Sequence, residues 1–303
     1  MLPGILLALG GAAAGGLAYA SLIERRWYTL RHVRIPALPA DAGAGLRILH
    51  LSDLHLTPGQ EHKQAFVRRC LQSSPDLVVV TGDFLGHADA IEPTIELFAE
   101  VAQGRHAIAV LGSNDRYGPT FKNPFGYLTG PSGRGPGPLI DSERLIKGLT
   151  AAGWEVLENR RTLISTTVGT VDIAGLDDPH IRRDRPGDID WSEPEHPVAL
   201  RLGVVHAPYL RALAVFERRG YDLALSGHTH GGQLRIPGIG ALVDNCDLPL
   251  DQARGLSRHG DRMWLHVSAG IGTSTFAPFR FACRPEASVL EVVPAGGEVR
   301  GSD

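Results

Sequence analysis

Short apolar runs recur along this chain, each closing on a polar or glycine-containing stretch. LRILHLSDLHL (Leu46–Leu56) predicts a buried strand that ends in Asp53 and His55. DLVVV (Asp76–Val80), HAIAVL ahead of Gly112, LRLGVV ahead of His206 and YDLALS ahead of Gly227 predict four more buried strands. Between the early runs the apolar period becomes helical. Glu61–Ser73 gathers Ala65, Phe66, Val67, Cys70 and Leu71 on one side, Glu92–Ala102 tolerates Pro93 near its start, and Asp141–Ala152 forms a third helix. Later strands are expected near Leu163–Val168, Val171–Ala174, Val267–Ser268 and Ser288–Val293. Strands alternating with helices predict an α/β fold. NPFGYLTGPSGRGPGP, within Lys122–Pro138, is too rich in glycine and proline for regular structure and predicts a long loop, either a lid or a surface insertion.

Leu2–Ile23 carries no charged residue over 22 positions, long enough to cross a bilayer. Arg25, Arg26, Trp27 and Tyr28 follow, a mixture suited to a membrane–water interface, and Arg31, His32 and Arg34 extend the basic flank. The reading is a single-pass membrane anchor over 1–23. Ala18-Tyr19-Ala20 offers a signal-cleavage alternative, but no basic residue precedes the apolar run. Basic charge after the span favours a cytoplasmic catalytic domain. Residues 24–45, including the Pro/Ala/Gly stretch Ala37–Gly45, read as a juxtamembrane linker; 46–293 form one domain and 294–303 a tail.

Of 303 residues, 43% are hydrophobic, enough for a sizeable core, and a net charge of −3 argues against a general nucleic-acid-binding surface. Cys70, Cys246 and Cys283 form neither a zinc pattern nor a disulfide framework. The chemistry lies elsewhere. Five strand ends deliver Asp53 and His55, Asp83, Asn114 with Asp115, His206, and the pair His228 and His230 within GHTHGGQ (Gly227–Gln233). Open α/β sheets bind ligands at such ends. Oxygen and imidazole donors without thiolate suit Mn, Fe, Zn or Co, and the set is large enough for two ions sharing a carboxylate. His50 and His266 read as core histidines, whereas His62, His87, His180, His196 and His259 lie in polar stretches and read as solvent-exposed. Asp177 and Asp178 in GLDDP read as turn residues.

SDLH, TGD, GSND, VVHAP and GHTHGGQ, in that order, resemble the five blocks of the calcineurin-like metallophosphoesterase superfamily, and the region around GLDDP and SAGIGTSTFAPFRFACRPEASVLEV resembles its membrane-anchored bacterial branch. The resemblance implies two mixed β-sheets packed as a sandwich between helices, two divalent or mixed-valence metal ions, and cleavage of a phosphoester or pyrophosphate bond by a metal-bridging hydroxide. It implies that Asp53, His55, Asp83 and His230 hold one ion, with Asp83 bridging, and that His206, His228 and an amide oxygen hold the other. The family's third block usually reads Gly-Asn-His-Asp or Glu, and here it reads Gly112-Ser113-Asn114-Asp115. Either Asn114 swings over as the amide ligand, or Ser113 or water fills that place and Asn114 donates to phosphate. The general-acid histidine has no counterpart, and Asp115 is a substitute acid only if burial raises its pKa. Activated substrates, such as a lipid-linked or nucleotide-activated pyrophosphate, therefore fit better than alkyl esters. The competing reading is a metal-bearing scaffold of the same fold.

Overall fold

The computed structural model describes residues 10–11, 14–119, 137–273, 277–296 and 300–301. The first sheet contains, in spatial order, β15 (Arg300–Gly301), β1 (Thr29–Leu38), β14 (Glu286–Pro294), β2 (Leu46–Leu51), β3 (Leu77–Thr81), β4 (His106–Val110) and β5 (Glu155–Val156). The β2–β3–β4–β5 run is parallel, and β14 lies antiparallel to β2. The second sheet runs β12 (Gly255–His259), β13 (Met263–Val267), β9 (Leu223–Ser226), β8 (Val198–Val205), β7 (Gly169–Leu176) and β6 (Arg160–Thr166). Its β13, β9, β8 and β7 are parallel, while both edge strands are antiparallel. A small hairpin, β10 (Arg235–Ile236) with β11 (Gly240–Ala241), stands apart from both sheets.

The continuous apolar runs are explained by burial on both faces. Ile48, Val79 and Ile108 point toward the second sheet and meet Ile173, Leu202 and Leu225. On its other face the first sheet meets α1 (Glu61–Cys70), α2 (Ile91–Ala102) and α3 (Ser142–Ala151), through Phe66, Phe98 and Leu145 among others. Outside the second sheet, α4 (Leu210–Arg218) buries Leu213 and Phe216 against Val205 and Leu265. Helix, sheet, sheet and helix thus form four layers, the α/β architecture expected. The three predicted helices are present, and Asp141 caps α3 by accepting from the Arg144 N–H. Helices α2 and α3 approach closely because a Cβ on Gly148 would collide with Ile95.

Two boundaries differ from expectation. Residues 29–38, read as linker, form β1, which pairs in parallel with β14 from Thr29↔Glu286 to Leu38↔Pro294. Val33, Ile35 and Leu38 are buried, and the neighbouring Arg31, His32, Arg34 and Pro36 disguise the strand. Arg31, read as part of a basic membrane flank, bonds Glu286 on β14. Within the predicted tail, Arg300–Gly301 pairs with β1. The anchor over 1–23 falls partly on residues 1–9 and 12–13, outside the described residues, and the loop at 122–138 falls largely on 120–136, also outside them. Among the described residues, no helix is long and apolar enough to cross a membrane.

Ile35 is fully buried in β1. Ile35→Ala is therefore expected to destabilise the protein by about 2–5 kcal/mol in urea or thermal unfolding. A change within error would mean that residues 29–38 are not part of the folded core.

Candidate metal centre

The carboxyl ends of β2, β3 and β4 meet those of β8 and β9 at one end of the seam between the sheets. Asp53, His55, Asp83 and Asn114 come from the first sheet; His206, His228 and His230 come from the second. Asp83 Oδ2 lies 3.5 Å from both His55 Nε2 and His206 Nε2. His55 Nε2 and His230 Nε2 are 3.2 Å apart, His228 Nδ1 and His206 Nε2 3.3 Å, and His230 Nε2 and Asp53 Oδ1 3.8 Å. Asp53, His55 and His230 form one cluster of converging donor atoms, and Asp53, Asp83 and His206 form another.

These side chains converge through kinked backbone beyond the strand ends. The strand stops at Leu51. Beyond it, Asp53 and His55 adopt left-handed φ of 49° and 43°; Asp83, His228 and His230 do the same at 52°, 68° and 49°. Such a conformation costs on the order of 1–3 kcal/mol for each non-glycine residue unless its surroundings enforce it. Here the Asp53 N–H donates to Gly82 O at 3.0 Å and the His55 N–H to Asp83 O at 2.9 Å, clamping the two kinked segments together. Glycine is required where they touch: a Cβ on Gly227 would strike Ser52 and Asp53, and one on Gly112 would strike Asp83.

Charge is distributed unevenly. Burial alone would raise Asp83, but His206, His55 and the Asn114 donors hold it below its ordinary value. Burial alone would lower His206, but Asp83, Asp178 and Asp53 push it up to about 9. Burial drives His55 down to about 4 and His228 and His230 well below their usual value, leaving neutral imidazoles. Asp53 is raised to about 6, chiefly by burial. The His206 Nδ1–H donates to Thr81 O at 2.6 Å, which turns Nε2 toward the cluster.

Asn114 lies against the shared carboxylate as a donor: its backbone N–H donates to Asp83 Oδ1 at 2.8 Å and its Nδ2–H to Asp83 Oδ2 at 2.6 Å. Asp115 is not placed as an acid. It is fully buried, and its oxygens accept the N–H groups of Leu85 at 3.0 Å and Gly112 at 2.9 Å, bracing the loop. Although burial lifts Asp115 to about 7, both oxygens face backbone donors.

Several residues at the centre escaped the sequence reading. His180, expected in solvent, is half-buried with its ring centroid 4.5 Å from that of His228 and Nδ1 3.1 Å from Tyr209 Oη. Asp178, expected only to turn the chain, is fully buried; Oδ1 accepts the His180 N–H, Oδ2 has no hydrogen-bond partner among the described residues, and burial raises the carboxyl to about 7. Lys63 is buried and donates to Leu54 O at 2.6 Å and His55 O at 3.3 Å, fixing that kink. Arg280 is fully buried and donates to Ala269 O, at 2.6 Å, and to His230 O, tying the histidine loop to the 269–272 turn. An arginine set between Phe279 and Phe281 was the available signal.

His50 and His266 are core histidines, as read, but they also form a relay. The Thr81 hydroxyl donates to Ser52 Oγ at 2.6 Å, and Ser52 donates to Asp53 Oδ2 at 2.5 Å. Thr81 must then accept from His50 Nε2 at 3.0 Å, so His50 Nδ1 accepts from His266 Nδ1 at 2.9 Å. The chain of donors starts on β13 and ends on Asp53.

The donor set fits divalent metal. Imidazole nitrogens face one another around two carboxylates, an arrangement that a cation satisfies. Their separations bracket the about 3.4 Å expected between donors bound tetrahedrally at about 2.1 Å. An ion that takes His206 Nε2 must displace its proton. Mn²⁺ binding at pH 7 should release about one proton per chain and tighten as pH rises toward 9. Calorimetry in buffers of different ionisation enthalpy measures the release, and binding without it would remove His206 from the ligand set.

A calcineurin-like phosphoesterase profile matches residues 46–232. Phosphodiesterase YaeI of Escherichia coli (strain K12) is 29% identical over 290 residues, covering 93% of this chain and 94% of its own. The uncharacterized metallophosphoesterase YkoQ of Bacillus subtilis (strain 168) is 28% identical over 251 residues, 82% of this chain and 83% of its own. A Danio rerio transmembrane protein with metallophosphoesterase domain is 29% identical over 259 residues, covering 80% of this chain and 52% of its own. With its two mixed sheets and clustered donors in that matched region, the chain belongs to the calcineurin-like phosphoesterase family and is a metal-dependent phosphoesterase.

Proposed function

We propose that this phosphoesterase is a membrane-anchored, two-metal hydrolase of phosphodiesters or phosphoanhydrides. The carrying observation is Asp83 Oδ2, equidistant at 3.5 Å from a histidine of each sheet. In this reading Asp53, His55, Asp83 and His230 hold one ion; Asp83, His206, His228 and Asn114 hold the other. Two such ions would lower the pKa of water and neutralise phosphoryl oxygens. The protein's part is to fix the donors. The relay orients Asp53, Thr81 O orients His206, and Lys63 and Arg280 hold the loops behind His55 and His230.

Asn114 cannot give up a proton, and Asp115 is occupied as a brace. A leaving group therefore departs with no acid from this loop, which favours anhydride-type substrates over alkyl esters. The relative named a phosphodiesterase supports the activity. The charge-free run before Glu24 and the relative named a transmembrane protein support the anchor. An anchored enzyme of this specificity suits a lipid-linked or nucleotide-activated pyrophosphate. With Arg31 engaged by Glu286, the basic flank rests on Arg25 and Arg26, which favour a cytoplasmic site.

The full chain is the material to assay, since cutting at Ala37 would remove most of β1. Hydrolysis of bis-p-nitrophenyl phosphate should require Mn²⁺, cease on chelation and be lost in Asp83→Asn. Turnover unchanged in Asp83→Asn would overturn the two-metal reading. Across a series of aryl phosphates the rate should fall steeply as leaving-group pKa rises. Asn114→His exchanges the proposed amide ligand for an acid, so whatever its effect on the best leaving group it should raise the rate of the poorest relative to the best by up to about 10²-fold, the lower range of general-acid contributions. A flat series in the unaltered chain would show that an acid is already present.

A further inference from the structure

Among the described residues, exposed apolar side chains are concentrated in one region. Of twelve large hydrophobic residues exposed among the described residues, eight lie in three segments: 17–27, 236–242 and Phe281. Ile239, at the tip of the β10–β11 hairpin, is 77% exposed; Leu22 is 62% and Trp27 49% exposed.

The three segments are physically joined. Phe281 bridges to Leu234, and the Arg235 N–H donates to Phe281 O at 2.9 Å, which seats the hairpin on the 281–283 strip. The same strip holds the amino-terminal segment. Glu24 accepts the N–H groups of Cys283 at 2.6 Å and Ala282 at 3.1 Å, and the Tyr19 ring meets the Phe281 ring edge-on at 6.3 Å. The patch therefore continues directly from the charge-free run that ends at Ile23.

Its charges are of one sign. Arg25, Arg26, Arg235 and Arg284 flank the apolar residues, and the Arg284 guanidinium lies 3.6 Å over the Trp27 ring. The hairpin stretch LRIPGIGAL contains no acid, and Glu24 is buried. Apolar side chains among arginines and an interfacial tryptophan match the headgroup–acyl boundary of a bilayer carrying anionic lipid.

We propose that the β10–β11 hairpin is a second membrane contact, inserting Ile236 and Ile239 at the lipid interface beside the anchor. This rests on the membrane reading above and adds to it a fixed orientation. Gln233 links His230–Gly232 to the hairpin, and Arg235 donates to Gly231 O at 2.9 Å, so the donor cluster sits immediately behind the lipid contact. The substrate class that follows is a phosphoester or phosphoanhydride carried at headgroup depth on a lipid.

The test uses the full chain in phosphatidylcholine–phosphatidylglycerol vesicles. Nitroxide labels are attached to Ile239→Cys and, as a control on the far edge strand β6, to Leu163→Cys, both with Cys246→Ala. Retained Mn²⁺-dependent hydrolysis of a soluble aryl phosphate reports folding. The label at 239 should collide several-fold more with oxygen than with a water-soluble nickel chelate, whereas the label at 163 should favour nickel. Nickel preference at both positions in vesicle-bound protein would overturn the hairpin contact and leave the anchor standing. Shielding of 239 from both reagents, with spin–spin broadening, would mean that a second copy covers the patch, and would also overturn it. Failure to float with vesicles would remove anchor and hairpin together, whatever the hydrolytic result.

Discussion

One carboxylate oxygen is shared between the two halves of this sandwich. Asp83 is buried at the seam, where an unpaired charge would be strongly disfavoured, and it stays ionised because His206, His55 and the Asn114 donors surround it. His55 arrives from the first sheet and His206 from the second. Their convergence requires the sheets to pack in one register, so the apolar layer between them also determines the geometry of the site. A shift of either sheet would separate the donors.

The kinked strand ends show how that geometry is maintained. Left-handed backbone at five of the proposed ligands is intrinsically costly, and hydrogen bonds from outside the kinks hold it. Buried Lys63 and Arg280 bind the carbonyls of Leu54, His55 and His230 in the kinks, and the glycines leave room for the carboxylates. The relay through Thr81 and Ser52 reaches Asp53 from the opposite sheet, so its orientation also depends on the inter-sheet contact.

The strands bearing the clustered donors were legible because burial on both faces leaves continuous apolar runs, as in LVVVT of β3. The order of the candidate donors was legible because aspartates and histidines follow those runs directly. The means of convergence was not: an extended Asp53–His55 segment and a kinked one read alike when the hydrogen bonds from Gly82 and Asp83 are unknown. β1 was hidden by the basic residues Arg31, His32 and Arg34, the first of which has its partner 255 residues away. Asp115 as brace, His180 against His228 and Arg280 behind His230 all depend on tertiary contacts that local composition does not encode. Arginine, lysine and aspartate are ordinarily surface residues, and only the fold reveals Arg280, Lys63 and Asp115 as interior.

The hydrogen bond between His50 and His266 joins β2 of one sheet to β13 of the other inside the sandwich. Burial lowers both histidines, His266 to about 4 and His50 well below its usual value, so the folded protein keeps them neutral at a pH where the unfolded chain would protonate them. Their contribution is complete above the unfolded value near 6.5 and declines as acidity takes the unfolded chain through that value toward the folded ones. The pair is therefore a fastener that is inert at neutral pH and loosens in acid, and it ties the tolerance of the sandwich to proton concentration through two residues outside the donor clusters.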